Sequence, residues 1–287
     1  MALDTRFALV TGCGHGGIGE ALVQEYALAG IHPIATVLPS EPSEHLTRSN
    51  ITWFTLDVTR EESIIQLKKH IFDLTGGRLH ILVNNAGICY TMPAVDTDIT
   101  PVQKMFDVNV FGPMRILKHF HNMLIDSGGT IVNIGSVGGI VPYIYGASYN
   151  ASKAALHHWA NTLRLEMAPL GVKVLTVISG EIGTNILKSD YSRELPDGSY
   201  FTPLAPEFRA HVQRTPKTTD RFEYAANVVS QSLKSSPPAW FWYGKTTAIV
   251  RFFDVFAPRT IWDYILWVVF SCAKLKGTNR SSTRVET

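Results

Sequence analysis

Three residues of this chain have types and spacings that suit proton transfer to an oxygen atom. Tyr149 and Lys153 lie one helical turn apart, and Ser136 ends the apolar run 130–135 that precedes them. A phenol, with an ordinary pKa of about 10, exchanges protons poorly near neutral pH, but a lysine on the same helix face favours the phenolate. A hydroxyl at the tip of an adjacent strand would hold a carbonyl oxygen against that phenol. These groups suit protonation of an oxygen while hydride arrives at its carbon; the alternative is an ordinary exposed tyrosine–lysine pair.

A glycine-rich turn near the N-terminus indicates a dinucleotide site. The apolar, β-branched run 6–11 is followed at once by five glycines within 12–19, and residues 20–30 then show helical spacing. Strand, glycine turn and helix form the context that a dinucleotide fingerprint requires. Glycines let the backbone approach the pyrophosphate, which binds at the helix N-terminus. The alternative is a plain tight turn.

These motifs, with three more in the same order, make the chain resemble the short-chain dehydrogenase/reductase family between about residues 5 and 245. The family's Thr-Gly turn is matched at 11–19 with one additional residue, and its Asn-Asn-Ala-Gly motif at 84–87. Its catalytic asparagine matches Asn109. Its Pro-Gly-x-Val-x-Thr motif matches 179–184, with Ser179 in place of proline.

The resemblance implies a role for each of these residues. Tyr149 would transfer the proton, and Lys153 would lower its pKa and bind the nicotinamide ribose. Ser136 would orient the carbonyl, and Asn109 would hold a water that extends the proton relay from Lys153. The implied cofactor-binding residues are Gly12, Gly17, Ile18, Gly19, Asp57, Asn85, Gly87, Tyr149, Lys153, Ile182 and Thr184.

Structural alternatives stand beside several of these assignments. Asn109 could instead satisfy backbone groups inside a helix. Asp57, which the resemblance places at the adenine, could cap the end of a strand. Ile18 and Ile182 could simply pack in the core, and Asn85 is expected to bond backbone groups near the cofactor.

The end of the second predicted strand bears on the choice of cofactor. A carboxylate there would bind the ribose hydroxyls of NAD. The sequence reads Thr36-Val37-Leu38, and the arginine common in NADP-preferring relatives is also missing. Because the absent acid argues against NAD more directly, NADP(H) is the expected cofactor. His15 and Arg48 are the candidates for contact with a 2′-phosphate.

Bulk composition fits one large α/β domain. The 287 residues are 45% hydrophobic and 17% charged, and the net charge of +2 points to no nucleic acid. Three cysteines without a pairing pattern suggest a reducing compartment. No zinc-ligand spacing occurs, so no metal is expected, and strand-forming sequence by residue 6 leaves no room for a signal peptide. We therefore expect a cytoplasmic protein.

Strand and helix patterns alternate as in a Rossmann-type, doubly wound parallel sheet of the α/β class with a C-terminal helical extension. Strands are predicted at 6–11, 33–37, 51–56, 79–83, 129–136, 172–178 and 239–243, and helices at 20–30, 61–74, 100–123, 149–170 and 222–234. Residues 38–50 are expected to form a short polar link, and 185–221 a substrate lid with short helices. Residues 1–245 would form the dinucleotide-binding and catalytic domain, and 246–287 the amphipathic extension.

The extension combines apolar, aromatic and cationic residues. Its apolar part within 261–273 is too short to cross a bilayer, which needs about 20 residues. Aromatic side chains flanked by Lys274, Lys276 and Arg280 suit a helix lying in the membrane interface. The alternatives are packing on a dimer partner or over the substrate cleft. The extension also resembles that of fungal reductases related to the 1-acyldihydroxyacetone-phosphate reductases.

The resemblance implies an NADP(H)-dependent oxidoreductase that interconverts a ketone and a secondary alcohol on an apolar substrate, either lipid-linked or a secondary metabolite. It also implies a homo-oligomer. The alternatives are a NAD-dependent, hydroxysteroid-like dehydrogenase, a dinucleotide-binding regulatory protein without turnover, and a structural protein of the membrane surface. The set Asn109, Ser136, Tyr149 and Lys153 favours an enzyme, because a pure binder needs only the glycine loop.

Overall fold

A seven-stranded parallel sheet forms the centre of the molecule. The computed structural model describes residues 5–275. The strands are β1 (Phe7–Val10), β2 (His32–Val37), β3 (Thr52–Thr55), β4 (Ile81–Asn84), β5 (Thr130–Ile134), β6 (Lys173–Ser179) and β7 (Trp240–Tyr243). They pair in the order β3-β2-β1-β4-β5-β6-β7, and every pair is parallel. The predicted Rossmann-type, doubly wound fold is confirmed.

Helices connect the strands and cover both faces of the sheet. They are α1 (Ile18–Leu28), α2 (Glu44–Arg48), α3 (Glu61–Thr75), α4 (Ile99–Phe106), α5 (Gly112–Asp126), α6 (Ala147–Met167), α7 (Ala205–Val212), α8 (Arg221–Ser232), α9 (Thr247–Phe256) and α10 (Ile261–Val269).

Alternation along the strands divides the core into two layers. In β1, Ala8 and Val10 join the buried cluster beneath α1 and α8, whereas Phe7 and Leu9 join the cluster beneath α3, α5 and α6. Burial on both faces is what parallel strands require, and it accounts for the continuous apolar runs in the sequence. Chain order reverses between β1 and β4, so the carboxyl ends of these strands flank the crevice in which such sheets bind ligands.

Two segments differ from the sequence prediction. Residues 38–50 are not a plain polar link, because α2 forms there and buries Leu46 against the core. The helix predicted at 100–123 is a continuous helical segment in which α4 and α5 are joined by a π-helical turn at Asp107–Phe111. Pro113 has no N–H to donate to the carbonyl four residues earlier, and Gly112 N–H donates to Asp107, five residues earlier. The wider turn follows from that exchange.

The C-terminal extension packs on the segment between β6 and α8. That segment contains 3₁₀ turns at Ile186–Asp190 and Thr202–Leu204 and the helix α7, so the short helices expected there are present. Phe270, which follows α10, contacts the rings of Tyr143 and Tyr145 at centroid distances of 5.1 and 5.5 Å. Phe270 and Phe208 of α7 belong to one apolar cluster. The extension therefore packs against its own chain, whereas contacts with a membrane or with a dimer partner stay predictions.

The outer side of the extension remains exposed. Phe256 and Tyr264 are each 74% exposed, and Val269 is 66% exposed. Lys274 pairs with Glu207 of α7, whereas Lys276 and Arg280 lie outside the described residues. Within residues 5–275, no single helix combines the length and the apolar content that a membrane crossing requires.

Candidate active site

The glycine turn after β1 is fixed against the end of β4. Gly12 has a φ of +70°, and a Cβ there would lie 2.8 Å from the Cα of Ala86, so only glycine fits. Asn85 Nδ2 donates to the carbonyls of Thr11 and Gly12 at 2.8 and 2.9 Å. Asn85 therefore bonds backbone groups at the turn, as predicted.

The start of α1 has the form of a pyrophosphate site. Gly17 is the N-cap residue, so no side chain caps the first N–H groups of the helix. A Cβ at Gly17 would lie 3.0 Å from the Gly14 carbonyl. A glycine-flanked helix N-terminus is the arrangement that binds phosphate through backbone N–H groups. Gly19 occupies the first turn, and Ile18 packs against the core beneath it. These residues fit a dinucleotide.

Two carboxylates near this turn were missed by sequence reasoning. The buried Glu20 accepts from Gly16 N–H at 2.8 Å and His15 Nδ1 at 3.2 Å, and it pairs with Arg221 at 3.4 Å. Glu41 accepts from the N–H of Leu38 at 3.1 Å, and its Oε1 would lie 3.3 Å from a Cβ at Gly14. The last residues of β2 include no acid, but the folded chain places the Glu41 carboxylate beside the end of this strand.

The proton-transfer residues meet at the carboxyl end of β5. Ser136 follows β5, and its hydroxyl accepts from Gly138 N–H at 3.1 Å. Tyr149 and Lys153 lie on α6, and Lys153 Nζ donates to the carbonyl of Ile134 at 2.9 Å. The ammonium lies 5.8 Å from the centroid of the Tyr149 ring. The sequence spacing therefore brings all three side chains together.

Burial keeps both titrating groups of this trio toward their neutral forms. It raises the pKa of Tyr149 to about 12, and a hydrogen bond with Ser136 acts in the opposite direction. It lowers the pKa of Lys153 to about 8. Desolvation therefore outweighs the Ser136 hydrogen bond, and a lowering of the Tyr149 pKa by Lys153 stays a prediction. A protonated phenol is the form that donates to an oxygen.

Asn109, Gly87 and Asp57 lie at the edges of the site. The Asn109 side chain accepts from Ile88 N–H and donates to the Ile88 carbonyl, both at 2.9 Å, and also donates to Ser152 Oγ at 3.1 Å. These bonds are those of the structural alternative, and the water relay stays a prediction. A Cβ at Gly87 would lie 3.7 Å from Lys153 Nζ. Asp57 Oδ1 accepts from both the N–H and the hydroxyl of Thr59, which is a strand-end turn.

Ile182 and Thr184 line the same cleft as Ser136 and Tyr149. Ile182 also packs against the core, so its two predicted roles coexist. The cleft has a volume of about 460 Å³. Its remaining walls are largely apolar and aromatic, and include Tyr90, Val141, Tyr143, Ile186, Leu187 and Tyr191.

His157 is a further residue of the site that the sequence did not single out. Its Nε2 accepts from Ser136 N–H at 3.2 Å, and its ring fills the space that side chains at Gly135 and Gly139 would need. Burial lowers the pKa of His157 to about 3, so the ring remains a neutral acceptor. The available signal was its position one helical turn after Lys153, on the face that carries the trio.

The buried ammonium makes a prediction about stability. Lys153 has a folded pKa of about 8 against an ordinary 10.5, so burying this group costs no stability through its charge above about pH 10.5; the cost grows as pH falls and is complete below about pH 8. Lys153→Met removes this dependence. We expect the free energy of unfolding of the variant, relative to wild type, to rise by up to about 3 kcal/mol between pH 10.5 and pH 7.5.

Urea titrations of both proteins across this range measure that difference. Lys173→Met is the matched control, since Lys173 Nζ also donates to a carbonyl at 2.9 Å but lies in an exposed bond. A difference between Lys153→Met and wild type that does not change with pH contradicts the prediction.

Comparison with known proteins agrees with this geometry. The short chain dehydrogenase family matches residues 6–195. Short-chain dehydrogenase virD of Hypocrea virens is 69% identical over 276 residues, which is 96% of each chain. The NADPH-dependent 1-acyldihydroxyacetone phosphate reductase of Schizosaccharomyces pombe is 41% identical over 202 residues, 69% of this chain and 68% of that one. A crystal structure of a short-chain dehydrogenase from Streptomyces avermitilis has a TM-score of 0.75 at 25% identity, covering 94% of this chain and 98% of its own. The chain belongs to the short-chain dehydrogenase family of oxidoreductases.

Proposed function

We propose that this protein is an NADP(H)-dependent oxidoreductase that interconverts an apolar ketone and its secondary alcohol. The observation that carries the proposal is that Ser136 and Tyr149 line one cleft with Ile182 and Thr184, above the buried Lys153. The cleft thus brings a proton donor together with Ile182 and Thr184, which the family resemblance assigns to cofactor binding.

The chemistry follows from the states of these side chains. The bound nicotinamide supplies or accepts the hydride. Ser136 donates to the carbonyl oxygen and holds it against Tyr149, whose neutral phenol gives its proton as negative charge develops on that oxygen. Lys153 stabilises the phenolate left behind. Because burial keeps the phenol protonated, Tyr149 is in the form that reduction of a ketone requires.

The walls of the cleft support an apolar substrate. Tyr90, Val141, Tyr143 and Leu187 are among the lining side chains, and such surfaces bind apolar ligands by removing them from water. Lipid-linked and secondary-metabolite ketones both meet this requirement. The name of the Schizosaccharomyces pombe relative supports the first class.

Evidence on the cofactor points in two directions. The same relative is named NADPH-dependent, and β2 ends without an acid in its own sequence. Glu41, however, places a carboxylate beside Gly14, where it would repel a 2′-phosphate. We infer NADP(H) as the cofactor, with Glu41 moving away when it binds. A NAD-dependent enzyme is the alternative.

The extension supplies a candidate surface for membrane contact. The exposed Phe256, Tyr264 and Val269 lie on α9 and α10, close to the segment that walls the cleft. Aromatic and aliphatic side chains of this kind bind the headgroup boundary of a bilayer. The proposal is a cytoplasmic protein that forms a homo-oligomer and contacts an internal membrane peripherally. Contact of the same surface with a second copy is the alternative.

Tyr149→Phe tests the mechanism. Only the proton-transferring oxygen is lost, so we expect turnover of a ketone panel with NADPH to fall by roughly a thousandfold or more while NADPH still binds. Absorbance assays measure turnover, and fluorescence titration measures binding. Tyr191→Phe, which removes a hydroxyl from another wall of the cleft, is the control. Equal activity of Tyr149→Phe and wild type contradicts the mechanism.

Substitution of Glu41 tests the cofactor proposal. Wild type should show a higher kcat/KM with NADPH than with NADH. Glu41→Gln should tighten NADPH binding at least about fivefold, because like charges about 4 Å apart repel by about 1 kcal/mol even in bulk water. Leu38→Asp should shift preference toward NADH. Glu44→Gln removes a neighbouring exposed carboxylate as the control. A wild type that prefers NADH overturns the proposal.

Liposome sedimentation tests the membrane contact. Phe256→Ser combined with Val269→Ser removes exposed apolar area and leaves Phe270 in place. Wild type should sediment with vesicles, and the double variant should stay in the supernatant with its activity on a water-soluble ketone unchanged. If both proteins behave alike with vesicles and the variant alone dissociates in light scattering, the surface is an oligomer contact.

A further inference from the structure

Arg214 is a cation on the wall of the cleft that has no acidic partner among the residues that the structure describes. Its Nη1 donates to Nε2 and to the carbonyl of His211, both at 2.8 Å. No carboxylate within residues 5–275 makes an ion pair with it. Its Nε is buried and makes no hydrogen bond with any described residue. A partly buried charge without a counter-charge is costly, so this arrangement needs an explanation.

Two other arginines in this part of the chain each pair with a carboxylate. Arg193 binds the buried Asp190 at 2.8 Å, and Arg221 pairs with Glu20 at 3.4 Å. Arg214 differs from both, because its partner in the fold is a neutral imidazole. Burial and the nearby guanidinium lower the pKa of His211 to about 3, so this ring accepts a hydrogen bond and carries no charge.

His211 gives the guanidinium a fixed position. Its ring lies 5.5 Å from the rings of Tyr143 and Tyr145 and 5.4 Å from that of Phe270. The guanidinium in turn lies 5.9 Å from the centroid of the Tyr143 ring. An arginine held in this way loses little side-chain entropy on binding an anion, and its remaining N–H groups match an oxyanion.

The lining of the cleft also includes a carboxylate, that of Glu181. Glu181 lines it with Arg214, and the two groups act on the pKa of Tyr143 in opposite directions. An anion bound at Arg214 would therefore be repelled by Glu181, which provides a second way to test the site.

We propose that Arg214, held by His211, binds an oxyanion of the substrate, a carboxylate or a phosphate, while the ketone carbonyl lies at Ser136 and Tyr149. All four side chains line the same cleft, whose other walls are largely apolar and aromatic. The substrate class is then a ketone with an apolar body and an acidic group. This inference rests on the proposed function for the position of the carbonyl, but the oxyanion site is testable by binding alone.

The experiment measures affinity for the complex of the full chain with NADP⁺. The probes are 4-acetylbenzoate, 4-acetylphenyl phosphate and the neutral methyl 4-acetylbenzoate, titrated by calorimetry. Wild type should bind at least one anion more tightly than the ester, and Arg214→Met should lose roughly tenfold to hundredfold of that preference, as expected for hydrogen bonds to a charged group. The two anions show whether the site prefers carboxylate or phosphate.

Two variants sharpen the result. Arg209→Met, on the helix α7 that precedes Arg214 but outside this cleft and paired with Glu194, should keep the wild-type preference. Glu181→Gln should increase it. Equal affinity of wild type for ester and both anions, or an unchanged preference in Arg214→Met, overturns the proposal. So does a loss of NADP⁺ affinity in Arg214→Met with the preference intact, since the arginine would then serve the cofactor.

Turnover separates this inference from the proposed function. Reduction of the neutral ester by wild type without any preference for the anions leaves the function standing and rejects the oxyanion site. A preference that depends on Arg214 in a protein that reduces no ketone supports the site and rejects the function.

Discussion

The hydrogen bond from the buried ammonium of Lys153 to the carbonyl of Ile134 holds the site together. It joins α6 to the end of β5 at 2.9 Å, and the bond from Ser136 N–H to His157 joins the same two elements one turn further along the helix. Between these two attachments, the Ser136 hydroxyl and the Tyr149 phenol have little freedom to move apart. The rest of the fold positions these two elements. The sheet fixes β5, and α6 packs against the sheet and α5 in one buried apolar cluster.

Desolvation has opposite consequences for stability and for chemistry at this junction. Burying an ammonium beside a carbonyl costs free energy, which the lowered pKa of Lys153 reflects. The same burial keeps Tyr149 protonated and strengthens the interaction that develops when the phenol gives up its proton. An apolar residue at 153 would satisfy the core better and leave the phenolate without a cation. Such conflicts between local stability and function are expected at active sites.

The sequence was sufficient for the fold and for the residues that act through local spacing. Tyr149 and Lys153 share a helix face by virtue of one helical turn, and a strand that ends at Ser136 must present it at the carboxyl edge of the sheet. Contacts between distant segments were not predictable in this way. Glu41 returns to the glycine turn only because α2 forms, and the partner of His157 depends on how α6 docks. The π turn that contains Asn109 was not predicted either, because an apolar helical pattern does not reveal the bond from Gly112 N–H to Asp107, five residues earlier.

Chemistry and selectivity occupy different parts of this chain. The groups that the proposed mechanism assigns to proton transfer lie after β5 and on α6, at the carboxyl edge of the sheet. The wall of the cleft comes instead from the loop around Tyr143 and from α7, and the segment after α10 packs behind it through the contacts of Phe270 with Tyr143 and His211. This wall has its own apolar cluster, separate from the two that enclose the sheet. Substitutions there can change the shape and charge of the cleft without disturbing the Lys153–Ile134 junction. The extension supports this wall, because Phe270 contacts Tyr143 and His211, which line the cleft.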